Sequence, residues 1–436
     1  MRIAVKKQNK SSNVVQRRLT ASAMGMAIII SLLIAFVSGF FILRSHLSKV
    51  NEMRYEIKNI LMVNSQSGIQ LLLGSPSIVN LDDSLEMDLF GNGHDSVRLN
   101  RSTWGTFEMI HSTAYSSKES YTISSLVGNK IPPQQSRTGL YLCDLDRQIG
   151  ICGKTLLYGV NYLPNEGLKR SYIEGQSFSE NKMLQGDEKP SERILPEINN
   201  ALVQSLKDRL TGKLQTDAEF IDFYSMSLDS IYRSFDSTTL LLHSAGSIFL
   251  NRQSLNGKIV VQSNSKISVS AECQLNKVIL CAPVIEIKAG FHGNPQLIAS
   301  QSIEIGDDVE FSYPSSITLI AEIPDSTERR SISFGDNCQI SGSVIAVNSL
   351  EGQSQFITVN TLNEFRMSGE MYIQGDLDLK GEVIGSVFCH KMVLRTPSAI
   401  YENQLLNISI RPDLLPDYFA LSSLLKDSQR TILSWL

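Results

Sequence analysis

The sequence predicts a mainly β protein. It is a right-handed β-helix, or β-solenoid, with an α-helical insert, held outside a membrane on a single N-terminal transmembrane helix. Three observations predict it. The 24-residue stretch Thr20–Leu43 has no charged side chain. Short Val- and Ile-rich triplets recur at a fixed period from about Ala245 to Leu394. Between the two, helical spacing marks only limited segments.

The apolar stretch would span about 36 Å as a helix, against a hydrocarbon core of about 30 Å. Residues 1–18, the basic tail, carry Arg2, Lys6, Lys7, Lys10, Arg17 and Arg18 with no acid, a charge of +6; the whole chain is −4, so the remainder is −10. The positive-inside rule places the tail in the cytoplasm and the bulk of the chain outside, in the periplasm or at the surface of a bacterium, with residues 19–43 crossing the inner membrane. A cleavable signal would have an apolar region of about 7–15 residues and a small-x-small site. Here Phe40-Phe41-Ile42-Leu43 follows the only small pair, Ser38-Gly39, so an uncleaved anchor in contact with lipid is expected. Six cations beside a span are a topology signal, and nucleic acid is not an expected partner. The mildly acidic remainder suits no polyanion.

Residues 44–74 continue as a projecting helix, with Leu47, Val50, Met53, Ile57, Ile60 and Leu61 at helical spacing, ended by Gly74-Ser75-Pro76. Residues 77–175 read as the β-rich start of the exoplasmic domain. Residues 176–236 read as a mostly helical insert, because Ile194, Ile198, Leu202 and Leu206 stand four apart. Residues 240–410 are the expected solenoid. Starts at Ile259, Val278 and Leu297 interleave with starts at Ile267, Ile285 and Ile303. Two series with one shared period imply two strands per coil, each coil burying its inward residues on the next. Towards the C-terminus, Met371, Leu377 and Val383 are six apart, as are Gly369, Gly375 and Gly381, a step that fits one strand per face of a three-sided prism. A β-sandwich would space its strands by 8–12 residues without two strict registers. Residues 411–436 form a cap on the last coil or, through Tyr418, Phe419 and Trp435, an apolar docking tail.

Gly381-Glu382-Val383-Ile384-Gly385-Ser386-Val387, followed by Lys391-Met392-Val393-Leu394, resembles the repeat of bactofilins, the polymer-forming bacterial β-helix proteins. The run Gly153–Phe178, with the N-terminal anchor, is similar to uncharacterised single-pass envelope proteins of Bacteroidota-type bacteria, whose anchors are pilin-like. The basic leader, the small residues Thr20-Ala21-Ser22-Ala23 and the long helix carry the pilin likeness, although the span lacks the acid of type IV pilins. These resemblances imply an envelope or assembly role and bring no activity with them.

Catalytic signatures are sparse. Asp307-Asp308 is the best acidic pair for glycoside chemistry, which needs two carboxylates about 5–10 Å apart. Gly290-Phe291-His292-Gly293 is similar to a polygalacturonase GHG, but the acidic pair follows it instead of preceding it. Arg329-Arg330 reads as a solvated loop pair, Cys389-His390 as one inward and one outward residue of a strand, and His243-Ser244 as a strand end. The six cysteines form no CxxC and share no metal-ligand spacing with the six histidines. Cys143 and Cys152 flank a candidate hairpin and are the best disulfide pair; the other reading has all six thiols buried as small apolar groups. No catalytic, cofactor-binding or metal-binding residue is therefore expected. The expected role is a non-enzymatic envelope structural or assembly component, pilin-like or secretion-associated, that meets envelope proteins or further copies of itself. The alternative is a β-helix that binds or cleaves glycans.

Overall fold

The computed structural model describes residues 12–91, 93, 95–116, 119–213, 218–225, 229–321, 330–348, 357–426 and 429–436, with side chains from Ala23 onward. The fold is mainly β, with one long apolar helix at the N-terminus. That helix, α1 (Ser12–Gly74), is 63 residues long, contains no proline, and stops where Pro76 follows. From Ala23 to Ile60 almost every side chain is exposed; from Leu61 the inward positions become fully buried, as at Leu61, Ile69 and Leu72.

The buried end of α1 lies on an antiparallel sheet of β1 (Asp83–Met87), β2 (Ser96–Trp104), β3 (Phe107–Tyr115) and β4 (Ser120–Lys130), paired in chain order. Adjacent residues of a strand face opposite ways. Val127 of β4 accordingly joins Leu61, Ile69, Leu99 and Ile110 under α1, and Leu126 turns to the other side. There Trp104, Phe107 and Met109 meet the second part of the molecule. The C-terminal strands Ala420–Leu421 and Arg430–Trp435 pair with the free edge of β4, so both ends of the chain build one sheet.

Residues 138–410 leave this sheet after β4 and return to it, and most of their strands join one network of mainly parallel pairs; Gln176–Ser177 and Ile400–Glu402 pair antiparallel with their neighbours, and Ile149–Cys152, Leu168–Arg170 and Gln404–Leu406 form a separate parallel sheet. Three ladders run through the network. In the first, Leu242, Val261, Leu280, Leu297, Ile317, Val344, Met371 and Val387 pair in succession. In the second, Phe311, Ile340, Met367, Val383, Ile410 and Leu157 do so. In the third, Ile248, Ile267, Ile285, Ile303, Ile332, Val359, Leu377 and Met392 do so. All of these side chains are buried in one apolar cluster. Parallel strands with every inward position apolar are stable only when stacked.

Four expectations are corrected. The repeat uses three ladders, not two strands per coil, and Met371, Leu377 and Val383 fall one on each. The insert at 176–236 is not mostly helical: it holds one helix, α2 (Asn200–Leu210), while Gln185–Pro190, Glu219–Asp222 and Ser230–Arg233 are strands of the parallel network. Pro196 disfavours helix in the residue before it, Ile198 is bridged to Leu425, and the helix starts at the Asn199 cap, where Oδ1 accepts from the Leu202 amide. Residues 77–175 are not one unit either. Residues 83–130 serve the α1 sheet, whereas Thr138–Leu142 stacks beyond the strand of Val387, far along the chain. Arg330, finally, is not in a solvated loop but buried at the head of a strand; Arg329 lies outside the described residues.

Candidate functional site

The outward sides of the three ladders differ, and the difference defines the surfaces available for function. The first ladder's outer side carries Ile279, Ile298, Ile345, Tyr372 and Phe388, interleaved with buried polar residues such as Gln296, Ser316, Ser343 and Glu370. The outer face of the β1–β4 sheet and Leu202 and Leu206 of α2 cover them. Polar contacts fix the joint. Trp104 Nε1 donates to the Lys277 carbonyl at 3.1 Å, and Gln296 Nε2 donates to the Trp104 carbonyl at 3.0 Å. Gln296 Oε1 accepts from the Thr106 amide at 2.9 Å, and Arg209 donates to the Thr103 carbonyl at 2.7 Å.

The third ladder's outer side carries ion pairs. Glu286 lies between Lys266 and Lys288, whose hydrogen bonds hold its carboxyl down at about 2. Lys391 bridges Asp376 at 3.2 Å and Glu402 at 3.6 Å. The second ladder's outer side is bare and mostly uncharged at its start. A shallow groove of about 380 Å³ opens there, lined by Ser254, Asn256, Gln274, Asn276, His292, Asn294 and Ser312 above Leu255, Leu275 and Gly293.

The carboxylates and histidines singled out in the sequence do not converge. Asp307 Oδ1 accepts from the Asp336 amide at 2.9 Å and Asp308 Oδ1 from Asn337 Nδ2 at 2.8 Å, so both serve the turn of the neighbouring repeat. His292 instead faces Glu310, with Nδ1 and Oε2 3.3 Å apart. Cys389 points inward and is fully buried, while His390 is outward and half-buried. His243 and Ser244 end a strand, with the His243 ring against Phe220. Among the described residues no group of histidine, cysteine and carboxylate is arranged to hold a metal ion.

The expected Cys143–Cys152 disulfide is not formed. Every cysteine is free and buried; Cys143 lies in the cluster under the β1–β4 sheet and Cys152 in a separate one with Ile173 and Leu394. Their separation follows from the missing hairpin: Ile149–Cys152 pairs in parallel with Gln404–Leu406 and Leu168–Arg170, not back onto Cys143. Burial pushes the Cys143 thiol up to about 12, the behaviour of a core side chain. The docking tail is also divided. Tyr418 and Trp435 are exposed, but Phe419 is buried against Tyr313, with ring centroids 4.3 Å apart.

Two features escaped sequence reasoning. One is the carboxylate Glu108, buried beneath the sheet and shared by Arg101 and Arg430. The other is the column of Asn256, Asn276 and Asn294 that forms one side of the groove, continued beyond the groove by Tyr232 on the neighbouring strand. Neither has a local signal, because each is assembled from distant segments.

No family model matches the chain, and no curated protein does. Among solved structures, a match is the competence-associated pilin ComZ from Thermus thermophilus, with 10% sequence identity and a TM-score of 0.21, covering 81% of this chain and 87% of that one.

Proposed function

We propose that this chain is a pilin-like, membrane-anchored component of a bacterial cell envelope. In this reading α1 crosses the inner membrane with its basic end in the cytoplasm. The parallel stack is a right-handed β-solenoid that works as a rigid, non-catalytic scaffold outside. The observation that carries the reading is the division of α1. Its first half is long and apolar enough to cross a membrane, and from Ala23 onward its side chains there are exposed. Its second half is sealed onto one face of an antiparallel sheet whose other face bears the stack. A soluble core helix would bury its apolar side chains; here Ile29, Leu33, Phe36 and Phe41 are each more than half exposed.

The ends of the stack favour other envelope proteins over indefinite self-stacking. One outer edge is Gln185–Pro190, with Asp187, Glu188, Lys189 and a proline, and the other begins at Glu219–Asp222, with an acid at each end. Charges and proline on edge strands oppose strand addition. The test is a pair of reporters after Leu436. Alkaline phosphatase should be active and green fluorescent protein dark, with the fusion in the membrane fraction after carbonate washing. A fluorescent, soluble fusion would overturn the reading.

A further inference from the structure

Of the stack's three outer sides, one is sealed by the sheet and one is neutralised by ion pairs. The third carries the groove, and its lining has an ordered chemistry. Tyr232, Asn256, Asn276 and Asn294 stand in one column, each in register with the next. With ladder strands roughly 4.8 Å apart, the three asparagines extend along about 10 Å of the stack axis. Two positions away on the same face run Ser254, Gln274 and His292.

The amides are available. Among the described residues, neither Asn256 nor Asn276 has a side-chain hydrogen-bond partner, although both lie on ordered strands. Gln274 uses Oε1 to accept from Ser254 Oγ at 3.3 Å, and Asn294 uses Oδ1 to accept from the Lys277 amide at 3.0 Å. Both therefore keep their NH2 groups free. Tyr232 heads the column with 74% of its surface exposed.

We propose that this groove binds an uncharged linear oligosaccharide lying along the stack axis. An amide donates and accepts in one plane, which suits adjacent sugar hydroxyls, and a regular column of amides suits a regular polymer. An exposed aromatic ring provides the apolar platform for the C–H face of a sugar. Charge rules out a polyanion. The lining contains no lysine or arginine; Lys277 beside it is turned to Ser434 Oγ at 3.2 Å, and Arg233 is held by Glu219 at 2.8 Å. Glu310 at the far end adds negative charge next to His292. The groove itself is shallow and lined mainly by polar side chains, which gives a peptide anchor little to fill. The inference concerns the stack alone and does not depend on the orientation of α1.

The test is calorimetric titration of the full chain, held in a polyoxyethylene detergent that contains no sugar. The titrants are chitohexaose, cellohexaose and, as an anionic control, polygalacturonate. One of the two neutral hexamers should bind saturably, and polygalacturonate should not. Tyr232→Ala should weaken that binding about tenfold. Asn276→Ala should weaken it about fivefold. Ser333→Ala, on the third ladder, should leave it unchanged. Circular dichroism and the thermal midpoint should be unaltered in all three variants. The proposal is overturned if neither hexamer binds, if both groove variants bind as well as the parent, or if polygalacturonate binds equally.

Discussion

Glu108 accepts from Arg101 Nε and Nη2 at 2.8 and 2.9 Å and from Arg430 Nη2 at 2.8 Å, with almost no access to water. Burial pushes its carboxyl up, but the hydrogen bonds and charges of the two arginines outweigh this and hold it below the usual range. Replacing it with alanine strands two buried cations and should cost about 3–5 kcal/mol in denaturant unfolding. Because its folded-state pKa is depressed, its contribution is present above the ordinary carboxylate range and is lost as pH falls through the folded value. Glu370 is the opposite case. It is buried near Ser422 Oγ at 3.4 Å, and burial lifts its carboxyl to about 7. A raised acid binds more protons folded than unfolded, so stability should fall as pH rises from about 4.5 to about 7. Glu370→Gln should remove that fall and stabilise the protein on the order of 3 kcal/mol at pH 8, read from thermal or urea unfolding across pH. Neither carboxylate was legible in the sequence. Glu108 and Arg430 lie 322 residues apart, and residue type alone does not separate a buried glutamate from a solvated one. The same limit explains Cys143 and Cys152, where nearness along the chain stood in for a hairpin that the parallel pairing does not make.

The third ladder was the most legible element. Its Ile-x-Ile triplets sit in constant surroundings, and Ile267, Ile285 and Ile303 pair in the predicted register. The second ladder was hidden because Gly293 interrupts its apolar column, and Ser, Asn and Gln surround its leucines. Longer connections hid the later repeats: the step of 18 from Ile267 to Ile285 becomes 27 from Ile317 to Val344. Of the expected corners Gly369, Gly375 and Gly381, Gly375 lies inside a strand, and Gly369 stacks in register between Gly342 and Gly385, which the six-residue step did not show. Gly369 has φ +135°, and a Cβ on it would come 1.8 Å from the carbonyl oxygen of Gly342. Gly369→Ala should therefore destabilise the stack by about 3 kcal/mol or more, seen as a lower denaturation midpoint. Ile303→Ala, which empties a buried site in the third ladder, should cost about 2–5 kcal/mol in the same assay.

At the scale of the molecule, the β1–β4 sheet is the joint. One face takes α1, the other takes the stack, and the C-terminal strand closes its edge. Removing residues 430–436 takes away Arg430, Ile432 and the pairing with Ser125–Asn129. Amide exchange should then quicken in β3 and β4 while the third ladder stays protected. Equal loss of protection everywhere would show that the two parts unfold as one. The long apolar N-terminal helix was legible because it depends only on composition and length. The joint was not, because it depends on which sheet face meets which ladder.

The placement of Thr138–Leu142 beyond Val387 bears on biosynthesis. The Ser386 hydroxyl reaches the Thr138 carbonyl across 248 positions of sequence. During translation the segment from Thr138 to Pro190 emerges long before the strand it must dock on. It has to wait, with its strand edges open, until the ribosome has delivered nearly all of the chain. Such distant contacts slow folding and prolong the exposure of sticky intermediates. This waiting segment is where a chaperone would be needed first.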